Sequence, residues 1–123
     1  MKILVIDDDA QIRGYIALIL QRAGYDVCVA SDGNEGLRMN QQHSPDVVIS
    51  DIFMPGKDGL EVLREVKAGP HGPALIAISG GSPRVPGDYL SVARNFGAND
   101  VLQKPFSADK ILEAVTNCLV PIA

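Results

Sequence analysis

Short apolar runs alternate along the chain with longer stretches whose apolar residues recur at helical spacing. Lys2–Ile6, Asp26–Ala30, Val47–Ser50, Ala74–Ser79 and Asp100–Gln103 are rich in β-branched residues and have the length of strands. Three of them, ILVI, VVIS and ALIAIS, are apolar almost throughout, which predicts strands covered on both faces. Ile12, Ile16, Ile19, Leu20 and Ala23 recur at i, i+4, i+7, i+8 and i+11, one stripe of a helix that Gly24 can end. Leu60, Leu63 and Val66 make a second stripe, closed by Gly69-Pro70. Ile111, Leu112, Val115, Cys118 and Leu119 make the last, with Ser107 placed to cap it and Pro121 beyond its end. Gly33–Gln41 and Asp88–Phe96 carry weaker helical patterns.

Five β-α units in succession predict an α/β fold, a doubly wound five-stranded parallel sheet. Right-handed crossovers place helices on both of its faces. No linker, solenoid repeat or low-complexity tract interrupts residues 1–123, which read as one domain. In such sheets, ligands bind outside the carboxyl ends of the strands, so polar residues just after each strand carry the most weight.

Composition narrows the partners. Hydrophobic residues make up 46% and charged residues 21%, a globular balance, and with no Trp the core must come from Ile, Leu, Val and Ala. The net charge of −4, without any Lys/Arg run, gives no support for nucleic-acid or anionic-membrane binding, so proteins are the expected partners. No apolar stretch approaches the roughly 18 residues of a membrane span. Met1–Ile6 runs directly into three acids rather than a secretory signal, which predicts a cytoplasmic protein. Cys28 and Cys118 stand apart in apolar runs and read as small buried hydrophobes rather than a disulfide or metal pair.

The strand ends hold an unusual set of side chains. Asp7-Asp8-Asp9 follow the first strand, Asp51 ends the third, Ser79 ends the fourth, and Lys104-Pro105 follow the fifth. The second strand is followed only by Ser31-Asp32, which reads as a turn and helix cap. Each residue alone has an ordinary explanation: an Asp at a strand end caps or turns, a Lys is solvated, and Asp9 reads as the helix cap. Their convergence on one edge of one sheet has no such explanation. Carboxylates about 4–6 Å apart repel by roughly 1–4 kcal/mol per pair at surface-like dielectric, so the cluster calls for a cation or for protons. Oxygen-only donors suit Mg²⁺. With Lys104 and Ser79 facing the same pocket, the set forms an electrostatic clamp for phosphoryl transfer in which a carboxylate is the nucleophile.

Four motifs together resemble the receiver domain of two-component response regulators, of the chemotaxis-type single-domain kind. They are Leu4-Val5-Ile6-Asp7-Asp8, the run Ser50-Asp51-Ile52-Phe53-Met54-Pro55-Gly56-Lys57-Asp58-Gly59, Ala77-Ile78-Ser79-Gly80, and Gly97 through Phe106 (GANDVLQKPF). The resemblance implies the flavodoxin-like strand order 2-1-3-4-5 and a phosphoacceptor at Asp51, supplied by a sensor histidine kinase or phosphotransfer protein. It also implies Mg²⁺ held directly by Asp8 and Asp51, through water by Asp7, and by the backbone carbonyl of Phe53. Lys104 would contact the phosphoryl group and Ser79 would swing toward it as a switch, with Lys104-Pro105 commonly cis in the family. Such a chain is a signalling protein rather than an enzyme, and its output is a downstream protein target or onward phosphotransfer.

Two features depart from the family pattern. Val101 holds the usual aromatic switch position, and the segment from Ser79 to Gly97 is longer than usual and rich in Gly and Pro. Output is therefore expected through the loop Gly80–Gly87 and the short helix after it. Two other readings compete. An aspartyl-phosphate phosphatase of the haloacid-dehalogenase type needs a second Asp two residues after the nucleophile, where this chain has Phe53, which cannot transfer a proton. A pseudo-receiver that binds partners without phosphorylation is the other, but every expected phosphorylation residue is present.

Overall fold

The computed structural model describes residues 1–51, 64–66, 72–79, 98–104 and 106–119. Five strands, β1 (Lys2–Ile6), β2 (Asp26–Ala30), β3 (Val47–Asp51), β4 (Ala74–Ser79) and β5 (Asp100–Gln103), form one parallel sheet in the order β2-β1-β3-β4-β5. The expected doubly wound order is the observed one. The third strand runs one residue further than its apolar pattern indicates, because Asp51 still pairs with Ile78 of β4.

Alternation along the strands divides the core into two layers. Ile3, Val5, Val47, Ile49, Ile76 and Ile78 face α1 (Ala10–Arg22) and α3 (Ala108–Leu119), which contribute Ile16, Leu20, Ile111, Ala114 and Val115. Leu4, Ile6, Val48, Leu75 and Ala77 face the other way, toward Val66 in a helical turn at 64–66 and Leu37 and Met39 of α2 (Gly33–His43). Both faces are covered, which explains why β1, β3 and β4 are apolar almost throughout.

The helix ends follow local chemistry. Asp9 caps α1, accepting from the amides of Gln11 and Ile12. At the other end Gly24 takes φ +96°, and the bonds Tyr25 N–H to Leu20 O and Gly24 N–H to Gln21 O close a Schellman turn. Ala23 is the exposed C-cap residue there, not part of the buried stripe. Asp32 caps α2 through the Glu35 amide, while the Glu35 carboxylate reaches back to the Ser31 amide. Ser107 caps α3 through the Lys110 amide. Before β5, Asn99 docks on Leu75 twice, its Oδ1 accepting from that amide and its own amide donating to that carbonyl.

Cys28 and Cys118 are half-buried rather than fully buried, and they pack against different core layers. Among the described residues no helix is long and apolar enough to cross a membrane. Several expectations fall outside the described residues: the stripe at Leu60 and Leu63, the Phe53 carbonyl, the Pro105 peptide, and the loop Gly80–Gly87 with the helix after it. The side chain of Ser79 is likewise not described, although its backbone ends β4.

Candidate functional site

Sheet register brings the acids together. Ile6 of β1 pairs with Ser50 of β3, so one further residue on each strand sets Asp7 beside Asp51. Adjacent strands lie about 4.8 Å apart, which makes the two carboxylates unavoidable neighbours. One carboxylate oxygen from each of Asp7, Asp8 and Asp51 lies within 4.8 Å of the others. The three consecutive acids after β1 thus part company: Asp7 and Asp8 join Asp51, and Asp9 turns away to cap α1.

Burial differs sharply within the cluster. Asp7 is fully buried and Asp51 is 4% exposed, whereas Asp8 is open to solvent. Asp7 Oδ1 accepts from the Asp9 amide at 2.9 Å. Burial pushes the Asp7 carboxyl above its ordinary range, against the pull of that amide. The Asp51 carboxylate pushes it further up and the Lys104 ammonium partly offsets both.

Lys104 follows β5 and reaches Asp51 from two strands away and Asp7 from three. Its Nζ stands 3.3 Å from Asp51 Oδ2 and 3.4 Å from Asp7 Oδ2. β5 is separated from β3 by β4, a gap of about 10 Å at the usual strand spacing, so only a long side chain bridges it. Among the described residues, one ammonium against three carboxylates leaves an excess of two negative charges. A hard divalent cation with oxygen ligands fits that deficit and that donor set. Oxygens bound to one such ion at about 2.1 Å lie at most about 4.2 Å apart, so small side-chain rotations suffice to bring these three together.

Of the residues singled out by sequence, Asp7, Asp8, Asp51 and Lys104 converge. Arg13 was not among them, yet its guanidinium donates through Nη1 to the Asp7 carbonyl at 2.8 Å. The available signal was faint: Arg13 is the one cation in the first two turns of α1. Ser50, named above only as part of its strand and motif, adjoins the site. It is buried, and its hydroxyl donates to the Asp51 carbonyl at 3.1 Å.

Residues 3–116 match the family model of the response regulator receiver domain. A response regulator receiver domain protein from Clostridium thermocellum is 37% identical, with a TM-score of 0.86 over 96% of this chain and 93% of that one. The chemotaxis protein CheY4 of Vibrio cholerae is 30% identical, with a TM-score of 0.87 over 96% and 98%. NtrX from Brucella abortus is 32% identical with a TM-score of 0.87, but the chain spans only 26% of that longer protein.

Proposed function

The chain belongs to the response regulator receiver family, the phosphoryl-accepting signalling domains of two-component systems, and from that membership we propose that Asp51 takes the phosphoryl group. One observation carries the reading: the Lys104 ammonium lies between the Asp7 and Asp51 carboxylates at the carboxyl edge of the sheet. A nucleophilic carboxylate with a cation already beside it can receive a dianionic group that bare carboxylates would repel.

The donor is a phosphohistidine on a sensor histidine kinase or a phosphotransfer protein. An oxygen of Asp51 forms its bond to phosphorus as the phosphorus–nitrogen bond breaks. The electron pair stays on the imidazole nitrogen, which takes up a proton. Asp8 and Asp51, with Asp7 through water and the Phe53 carbonyl, would hold Mg²⁺, which would supply the positive charge that lets a phosphoryl group approach this acidic cluster. Lys104 exchanges a carboxylate partner for a phosphoryl oxygen, and the Ser79 hydroxyl donates to another. The product is a phosphorylated signalling protein, not an enzyme turning over an external substrate. It acts in the cytoplasm by binding a downstream protein or passing the group on, and net charge −4 gives nucleic acid no attraction.

Incubation with acetyl phosphate and Mg²⁺, followed by intact-mass measurement, tests the assignment. Wild type should gain about 80 Da, one added HPO₃. Asp51→Asn, nearly isosteric, should stay folded and gain nothing; equal labelling of that variant would remove Asp51 from the role.

A further inference from the structure

The Arg13–Asp7 bond has a consequence for the cation site. Arg13 stands half-buried in the second turn of α1. The carbonyl it serves needs a donor from outside the sheet. Pairing of β1 with β2 ends at Ile6 and Ala30, and the Asp7 amide already donates to the Ala30 carbonyl. Beyond Ala30 the neighbouring strand has turned into Ser31 and the cap of α2. The first amides of α1 are taken by Asp9 instead, through its carboxylate for Gln11 and Ile12 and its carbonyl for Arg13. A carbonyl buried without a donor is costly, and the guanidinium removes that cost.

The same bond constrains Asp8. The Asp7 carbonyl and the Asp8 amide belong to one planar peptide, so holding that oxygen holds the plane from which Asp8 departs. Asp7 is tied at its other end as well, by the Asp9 amide on its carboxylate. Asp8 has no comparable anchor. It is exposed, and among the described residues its carboxylate accepts no hydrogen bond and forms no ion pair. Its oxygen nevertheless sits within 4.8 Å of those of Asp7 and Asp51. Backbone direction is therefore what keeps it in the cluster.

We propose that Arg13 is a positioning residue: by holding the Asp7–Asp8 peptide plane, its guanidinium aims the Asp8 carboxylate at the cation site. The inference rests on the metal-assisted reading above. A plain charge argument gives the opposite sign, because a guanidinium beside an acidic cluster opposes a second cation and its removal would tighten binding. The direction of the change separates the two.

The test is a Mg²⁺ titration of the full chain followed by ¹⁵N amide shifts, with wild type, Arg13→Met and Arg13→Lys. Arg13→Met keeps most of the apolar stem and loses the donors. Its Mg²⁺ dissociation constant should rise about tenfold, the low end of what losing an outer-shell partner costs. Arg13→Lys returns a cationic donor of similar reach and should recover most of the affinity. If Arg13→Met does not fold, Arg13→Gln, which keeps an amide donor on a shorter stem, takes its place with the same expected loss. Unchanged or tighter binding in the Met or Gln variant, beside a wild type that binds Mg²⁺, overturns the positioning role and leaves the metal reading standing. A loss that Arg13→Lys does not recover also overturns it, since that is the pattern of lost packing. A wild type that binds no Mg²⁺ overturns both.

Discussion

Asp7, Asp8 and Asp9 are chemically identical neighbours with three different environments, and the difference sets their energetics. Asp7 has lost all its solvent, so its charge is opposed by burial and by Asp51 and is offset only in part by the Asp9 amide and Lys104. Its carboxyl is therefore raised above the ordinary 3.8 in the metal-free fold. A raised carboxyl means that the folded state holds the proton more tightly than the unfolded chain does. The resulting stability is fully present below pH 3.8 and is lost as the pH climbs through the raised value. Urea midpoints of the chelated protein across this range should show that decline. Asp7→Asn should remove this component and leave the metal-free protein more stable at neutral pH, by roughly 1–4 kcal/mol, the range for one repelling carboxylate pair. A neutral-pH midpoint lower than that of wild type would mean that the Lys104 pair outweighs the burial of the charge.

Two glycines show how little a helix's own sequence says about its packing. Gly14 lies exposed in α1, and a Cβ added there would meet nothing within 4 Å. Gly36 in α2 is buried, and a Cβ there would collide with the Ile6 side chain of β1, its Cδ1 nearest of all. Gly14→Ala should raise stability by about 0.5–1 kcal/mol through helix propensity alone. Gly36→Ala should lower it by roughly 1–3 kcal/mol, because Ile6 is held among Leu4, Val48 and Ala77 and has little room to yield. Thermal melts of both variants give the comparison; a neutral Gly36→Ala would mean that α2 lifts off the sheet without penalty. The close approach also explains why α2 is stable with a weak apolar pattern. It seats its backbone against β1 at Gly36, with Gly33 also buried, and needs only Leu37 and Met39 beside them.

At the scale of the whole molecule, phosphorylation has to travel from the strand edge to a surface. Val101 is half-buried against the Leu75–Ala77 layer and offers no ring to rotate, so output through Gly80–Gly87 and the helix after it remains the expectation. With beryllofluoride and Mg²⁺ as the phosphate mimic, amide shifts beyond the site should be largest within 80–96; changes centred on α3 instead would refute that route. The sequence by itself determined the strands, the alternation with helices, the capping roles of Asp9, Asp32 and Ser107, and the edge of the sheet on which the chemistry gathers. These are legible because strand pattern, capping and turn formation depend on residues within a few positions of one another. Only the tertiary structure decided which acid is buried and which is exposed, since that follows from the Ile6–Ser50 register and from the elements that cover Asp7. The same holds for Lys104, which meets Asp7 across 97 positions of sequence, and for the close seat of Gly36 on Ile6. Arg13 belongs with them: six residues from Asp7 is a short distance in sequence, but the bond exists only because β2 ends at Ala30 and leaves the Asp7 carbonyl to the helix.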